Sequence, residues 1–191
     1  MKTRYSLALA ALALPTLALA HPGHDAQTGF VAGVMHPLTG LDHLAAMLAV
    51  GVWAAQLSGK LRWAVPASFV GLMLLGALAS FSGFAINAAE QGIAASVCVF
   101  GLLLAGAIRL PAVACVLLTG AFALFHGYAH GAEAPQQGSA LLYMSGFVLS
   151  TVALHGAGFV VAQMLARHQQ QSSLRWVGAA MAVGGLALFA A

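Results

Sequence analysis

A histidine-rich segment at residues 125–133, FHGYAHGAE, has the composition and spacing of a metal-binding helix. His126 and His130 are four residues apart, which places both imidazoles on one face of a helix. Glu133 follows His130 by three residues and shares that face. Two imidazoles one turn apart commonly chelate a divalent metal ion. The segment therefore predicts three metal ligands: His126, His130 and Glu133.

A second segment at residues 36–43, HPLTGLDH, carries His36, Asp42 and His43. On a regular helix the two histidines would stand about 10 Å apart along the axis, too far to share one ion. Pro37 and Gly40 lie between them, and a proline removes a backbone hydrogen bond and can kink a helix. We therefore predict a kink or break near residues 37–40 that brings all three side chains to one cavity.

Five further side chains are weaker candidate ligands. Glu90 begins a later apolar segment, His155 lies within another, and His21 and His24 lie near the chain start. A lone buried histidine is often a structural residue, so His155 is equally open to that interpretation or to a role as an inner relay. His21 and His24 are predicted at most to capture a metal ion weakly at the outer mouth. The alternative is a flexible terminus that binds no metal. Met47 can offer a thioether, but methionine more often fills gaps in a core.

Imidazole and carboxylate donors suit Ni²⁺, Co²⁺, Zn²⁺ or Cu²⁺, and residue types alone do not choose among them. Thiolates are missing from the candidate set, which argues against a tight structural zinc site. Cys98 and Cys115 lie in apolar runs, where free cysteine behaves as a small hydrophobic residue. We expect no prosthetic group. The metal ion is expected to bind transiently, as a transported substrate.

The elements that hold these residues are membrane-spanning helices. The 191 residues are 61% hydrophobic and only 6% charged, whereas soluble domains carry about 25% charged residues. This composition excludes a soluble globular protein and leaves no basic patch for nucleic acid. It predicts an all-α polytopic membrane protein with one transmembrane domain at 21–191. Six apolar stretches of spanning length lie at 29–57, 63–83, 88–108, 111–131, 140–165 and 174–191.

The first 20 residues have the pattern of a cleaved signal peptide. Lys2 and Arg4 precede a short apolar run at 7–14, and the small-x-small pattern Ala18-Leu19-Ala20 marks a cleavage site. The alternative is an uncleaved first helix. A signal peptide of this kind predicts that the mature N-terminus lies in the periplasm.

The basic residues predict the same orientation independently. Those of the spanning region all fall in alternate loops, which indicates cytoplasmic loops. They are Lys60, Arg62, Arg109, Arg167 and Arg175. With the N-terminus outside, the histidine and carboxylate side chains of both segments fall in the outer half of the membrane, so we expect them to converge. Trp53, Trp63 and Trp176 are predicted to lie in an interfacial belt.

The two segments resemble the signature motifs of the HupE/UreJ family of bacterial nickel permeases. The overall plan of a signal peptide and about six spans is also similar and covers essentially the whole chain. The first motif matches at His36, Pro37, Gly40, Asp42 and His43, and the second at Phe125, His126, Gly127, Ala129, His130, Gly131 and Glu133. The resemblance implies secondary uptake of Ni²⁺, alternatively Co²⁺, across the bacterial inner membrane for hydrogenase or urease maturation. It also implies that the matching motif residues are essential for transport.

We expect an outward-facing site that admits the ion by stepwise ligand exchange, with the metal ion and the lipid bilayer as partners and no enzymatic activity. An intramembrane zinc hydrolase is the alternative, with Asp42 or Glu133 as general acid or base. A metal sensor is disfavoured because no sizeable cytoplasmic domain is expected. The oligomeric state stays open, a homo-oligomer being one alternative.

Overall fold

A computed structural model describes residues 29–134 and 139–190, and every regular element in these ranges is an α-helix. The signal segment 1–20 and the candidate ligands His21 and His24 lie outside the described residues. The helices in chain order are α1 Phe30–Thr39, α2 Leu41–Gln56, α3 Leu61–Phe81, α4 Ala89–Gly106, α5 Ala112–Ala132, α6 Ala140–Arg167 and α7 Gln171–Ala190.

Helices α3 to α7 are each long and apolar enough to span a membrane, and α1 with α2 passes the same test as a bent pair. The all-helical polytopic fold predicted from the sequence is thus confirmed. The first predicted span, 29–57, is two helices that meet at an angle of 87°. Gly40 separates them in an extended conformation, with Pro37 buried in α1 one turn earlier. The break predicted at residues 37–40 is confirmed.

The helices pack in three tight sets, with glycines at their contacts: α3 with α5, α4 with α7, and α1 and α2 with α6. At each seam a Cβ on glycine would overlap the backbone of the neighbouring helix. Such close approach is typical of membrane helices. The glycines concerned are Gly76 and Gly127 in the first set, Gly101, Gly178 and Gly185 in the second, and Gly33, Gly51, Gly146 and Gly158 in the third.

The bundle has two chemically different ends. At the end that we call the histidine end, α1, the start of α6 and the end of α5 meet around His36 and Glu133. At the opposite end, called the arginine end, Gln56, Arg109 and Arg175 line one cavity, so the α2–α3, α4–α5 and α6–α7 connections, within or beside which the basic residues lie, are close together.

The predicted tryptophan belt is wrong for one of its three members. Trp63 and Trp176 are 67% and 77% exposed, as expected for anchors at a membrane interface. Trp53 is only 1% exposed, and its ring centroid lies 6.0 Å from that of Phe100. It belongs to the core because α2 packs between α6 and α4 at this level.

Candidate metal site

The two histidine segments converge at the histidine end, where they form two groups of possible metal ligands. The first, which we call the glutamate group, consists of His36, His130 and Glu133, whose donor atoms all lie within 4.8 Å of one another. His36 Nε2 is 3.0 Å from Glu133 Oε2, and His130 Nδ1 is 3.4 Å from the same oxygen. The group is half open, because the side chains of His36 and Glu133 are 31% and 49% exposed whereas that of His130 is 0% exposed.

The second, called the three-histidine group, consists of His43, His126 and His130, with donor atoms again within 4.8 Å of one another. Ring centroids of His43 lie 5.3 Å from His126 and 4.3 Å from His130. His126 and His130 are fully buried, and the side chain of His43 is 12% exposed. His130 belongs to both groups, so the two candidate sites share one ligand.

The helix break explains how both histidines of the first segment reach His130. The ring centroids of His36 and His43 are 6.3 Å apart, and that of His36 lies 4.7 Å from His130. A straight helix would separate two residues seven positions apart by about 10 Å along its axis. The 87° turn at Gly40 removes this separation. The sequence pattern Pro37–Gly40 therefore has a direct role in assembling the site.

Asp42 fixes the orientation of His43. Its Oδ1 accepts hydrogen bonds from His43 Nδ1 at 2.7 Å and from the His43 backbone amide at 2.8 Å. A carboxylate acceptor requires the ring hydrogen on Nδ1 and leaves the lone pair on Nε2. His43 Nε2 is buried and has no hydrogen-bond partner among the described residues. Carboxylate–histidine pairs of this kind orient metal ligands in many proteins.

Ser96, a residue that the sequence interpretation did not single out, plays the same part for His126. Its hydroxyl donates to the Ile93 carbonyl at 2.6 Å, so its oxygen must accept the hydrogen of His126 Nε2 at 2.9 Å. The lone pair of His126 then lies on Nδ1, which is buried without a partner in the described part of the chain. Ser96 is itself 0% exposed. A serine in an apolar run of α4 gives no sequence signal, because its partner lies 30 residues away on α5.

Glu133 is the polar group that lies beside the ring of His130. Contact with the imidazoles of His130 and His36 lowers the pKa of the Glu133 carboxyl far below its usual range, so this group is an anion at neutral pH. It lies on the Nδ1 side of His130, and Nε2 is then the nitrogen available on the other side of the ring. His43 and His126 thus each have one nitrogen bonded to a polar partner and one nitrogen without a partner. Neither ring nitrogen of His130 forms a hydrogen bond within the described residues, and its Nδ1 lies 3.4 Å from Glu133 Oε2.

Aromatic rings enclose these polar groups. The Phe147 ring centroid lies 4.2 Å from that of His130, and Tyr143 lies 5.9 Å from His36. On the deeper side, Phe69 is fully buried, with its ring centroid 5.5 Å from His126 and 5.1 Å from His155. Phe69 therefore contacts both the three-histidine group and His155.

His155 lies outside both groups, although it is only 4% exposed and neither ring nitrogen has a hydrogen-bond partner among the residues described. Glu90 is exposed at the start of α4 and also lies outside both groups. Met47 is a fully buried member of the apolar core, which favours the packing interpretation. Cys98 and Cys115 are both free thiols.

The helices and this site define a polytopic α-helical membrane protein with a buried histidine cluster near one face. Comparison with known proteins identifies the particular class. The model of the family described as HupE / UreJ protein matches residues 9–188. A curated relative, Protein HupE of Rhizobium leguminosarum bv. viciae, is 41% identical over 186 residues, which cover 97% of each chain. No solved structure gives a significant match. The chain belongs to the HupE/UreJ family, a permease family associated with nickel and cobalt transport.

Proposed function

We propose that this protein admits Ni²⁺, with Co²⁺ as the alternative ion, across the bacterial inner membrane by ligand exchange between the glutamate group and the three-histidine group. One observation supports this mechanism above all: His130 is a member of both groups. The mature N-terminus and the histidine end then face the periplasm, and the imported ion supplies hydrogenase or urease maturation.

Entry begins at the glutamate group. Glu133 is half exposed and anionic, so it attracts a hydrated cation from the periplasm. His36 and His130 then replace water molecules of the ion. Nitrogen and carboxylate oxygen are donors that suit Ni²⁺ and Co²⁺. The direct contact between His36 Nε2 and Glu133 Oε2, at 3.0 Å, must give way when the ion enters.

Transfer inward uses the two nitrogens of His130. Its Nδ1 lies beside Glu133, while His43 and His126 lie close enough for donor atoms of all three histidines to meet one ion. The free lone pairs on His43 Nε2 and His126 Nδ1 are already oriented by Asp42 and Ser96. The ion therefore exchanges Glu133 and His36 for two neutral imidazoles. Because one neutral imidazole has a single lone pair, the ion leaves Nδ1 of His130 for Nε2, and the ring hydrogen moves from Nε2 through solvent to Nδ1, which faces Glu133. In this mechanism Asp42 acts as a positioning residue for His43.

Passage beyond the three-histidine group involves a movement of the Phe69 ring in this mechanism, because Phe69 is fully buried and contacts both His126 and His155. The two unpartnered nitrogens of His155 would then receive the ion deeper in the membrane. An inward-negative membrane potential favours this movement by about 2.3 kcal/mol per charge per 100 mV.

Uptake of radiolabelled nickel by vesicles containing the purified protein tests the proposal. His130→Gln removes the shared ligand and is expected to abolish uptake, whereas His168→Gln, in the exposed loop after α6, is the matched control and should retain it. Wild-type uptake by His130→Gln would refute the shared-ligand mechanism. Competition by unlabelled Co²⁺ and Zn²⁺ ranks the ions. Metal-dependent hydrolysis by a protein that shows no uptake would instead favour the intramembrane hydrolase.

A further inference from the structure

The arginine end contains a cavity of about 390 Å³ that the transport mechanism does not use. It opens among the ends of α2, α4 and α6 and the start of α7. Residues with polar side chains on its wall are Trp53, Gln56, Arg109, Gln163, Gln171 and Arg175. A polar cavity of this size inside a membrane helix bundle indicates a ligand that it can hold.

The hydrogen-bonding groups of this wall are dominated by donors. Within 29–134 and 139–190, neither Arg109 nor Arg175 forms an ion pair with a carboxylate. Arg175 Nε donates to the Ala105 carbonyl at 2.8 Å, which fixes the guanidinium and leaves its two terminal amino groups for a ligand. The indole N–H of Trp53 is buried without a partner. Arg109 and Arg175 are both exposed at this cavity, and two guanidinium groups close to an unpartnered indole N–H are suited to binding an anion.

The surroundings favour an anion that belongs to a lipid. A second, more open hollow of about 300 Å³ shares Arg175 with the cavity and is also lined by Ser172 and Trp176. Trp176 is 77% exposed, as is typical of a tryptophan at the level of lipid headgroups. A phosphate group can therefore reach Arg175 from the bilayer, and basic pockets between helices on the cytoplasmic side bind anionic headgroups.

We propose that the cavity at the arginine end is a phosphate-binding site occupied by the headgroup of an anionic phospholipid. Arg109 and Arg175 neutralise the phosphate, Trp53 and Ser172 supply neutral hydrogen-bond donors, and the acyl chains lie beside Trp176. Its assignment to the cytoplasmic leaflet rests on the proposed orientation, whereas its chemistry is independent of metal transport.

Thermal unfolding of the full-length protein in a neutral detergent tests this site. Phosphatidylglycerol or cardiolipin is expected to raise Tm by about 4 °C or more over phosphatidylcholine at the same concentration. The increase should disappear in the double variant Arg109→Gln/Arg175→Gln and remain in Arg167→Gln, an exposed cation of the same end that does not line the cavity. A third arm contains inorganic phosphate alone, and an arginine-dependent increase there would identify a soluble anion as the occupant and contradict the lipid.

Phosphorus analysis of lipid that copurifies with each variant provides a second measurement that does not depend on unfolding. The wild type and Arg167→Gln should retain more phospholipid than the double variant. Trp53→Phe, which removes the indole N–H and keeps an aromatic ring, should retain less than the wild type. Equal retention by all four proteins, or equal stabilisation by phosphatidylcholine, would overturn the proposal.

Discussion

The two ends of the bundle present opposite chemistry on the same apolar scaffold. At the histidine end, lone pairs on His43 and His126 lack partners and carboxylates surround them. At the arginine end, the unpartnered groups are donors, the indole N–H of Trp53 and Nε of Arg62, and Arg109 and Arg175 line the same cavity as Trp53. All three acidic residues of the described chain, Asp42, Glu90 and Glu133, lie away from the arginine cavity.

This difference shows that unpartnered polar groups in one membrane protein can be of two kinds, acceptors at one end and donors at the other. Acceptors without hydrogens suit a cation, whereas hydrogens without acceptors suit an anion. Separation of the two also keeps the arginines from competing with a metal ion for Glu133. Mutations at one end should therefore leave the function of the other intact, and the following predictions test that independence.

The largest effect is expected from loss of the shared ligand. His130→Gln should weaken Ni²⁺ binding by about 100-fold or more, because it removes a donor from both groups. Isothermal titration calorimetry of the purified protein measures this. Stabilisation by phosphatidylglycerol should stay at the wild-type value in the same variant, and its loss would show that the two ends are coupled.

A smaller effect is expected from Asp42→Asn, which keeps the shape of the side chain and removes its charge. Partners of metal-bound histidines typically contribute about 10- to 100-fold to affinity. We expect a decrease in the upper part of that range, because the amide can present its NH₂ to Nδ1 and favour the wrong tautomer of His43. Nickel affinity by calorimetry is the measurement, and an unchanged value would remove Asp42 from its positioning role.

Ser96→Ala should weaken nickel binding by about tenfold, at the low end of the same range, because a neutral hydroxyl orients a ring less firmly than a carboxylate. Ser96→Thr retains the hydroxyl and should recover part of the affinity. The matched control is Ser145→Ala, since Ser145 is exposed on α6 and bonds only to its own helix. Equal affinity in Ser96→Ala and Ser145→Ala would contradict the role of Ser96.

The smallest effect on metal affinity is expected from substitutions at the arginine end. Arg109→Gln and Arg175→Gln should each leave nickel affinity within about twofold of the wild type, because their charges are screened and distant from the histidines. Calorimetry in lipid-free detergent measures the affinity directly. A change of tenfold would mean that the cavity is part of the metal pathway.

Much of the histidine end could be predicted from the sequence because its signals are local. The spacing of His126, His130 and Glu133 places them on one helix face, and Pro37 with Gly40 predicts the break. The spans followed from apolar length alone, and their bounds agree with α3 to α7 within a few residues. The metal-binding role of these residues stays a prediction.

The remaining features depend on contacts between distant segments. Ser96 and His126 meet only because α4 packs beside α5, and Phe69 reaches His126 and His155 from α3. Trp53 looked like an interfacial anchor because it precedes a basic loop, yet the approach of α2 to α6 and α4 buries it. The arginine cavity likewise assembles residues from four helices, which no single stretch reveals.

The glycine seams have a further consequence for how the molecule can move. Within each of the three sets the backbones touch, so sliding or tilting inside a set would create steric overlap. The candidate ligands come from two of the sets, His43 from α2 and His126 from α5, and the third set contributes Ser96 of α4, which orients His126. Rocking of whole sets against one another would therefore open or close the passage at the histidines without unfolding any helix. Alternating access in this small protein would then require movement of three rigid bodies that meet at the binding site of the transported ion.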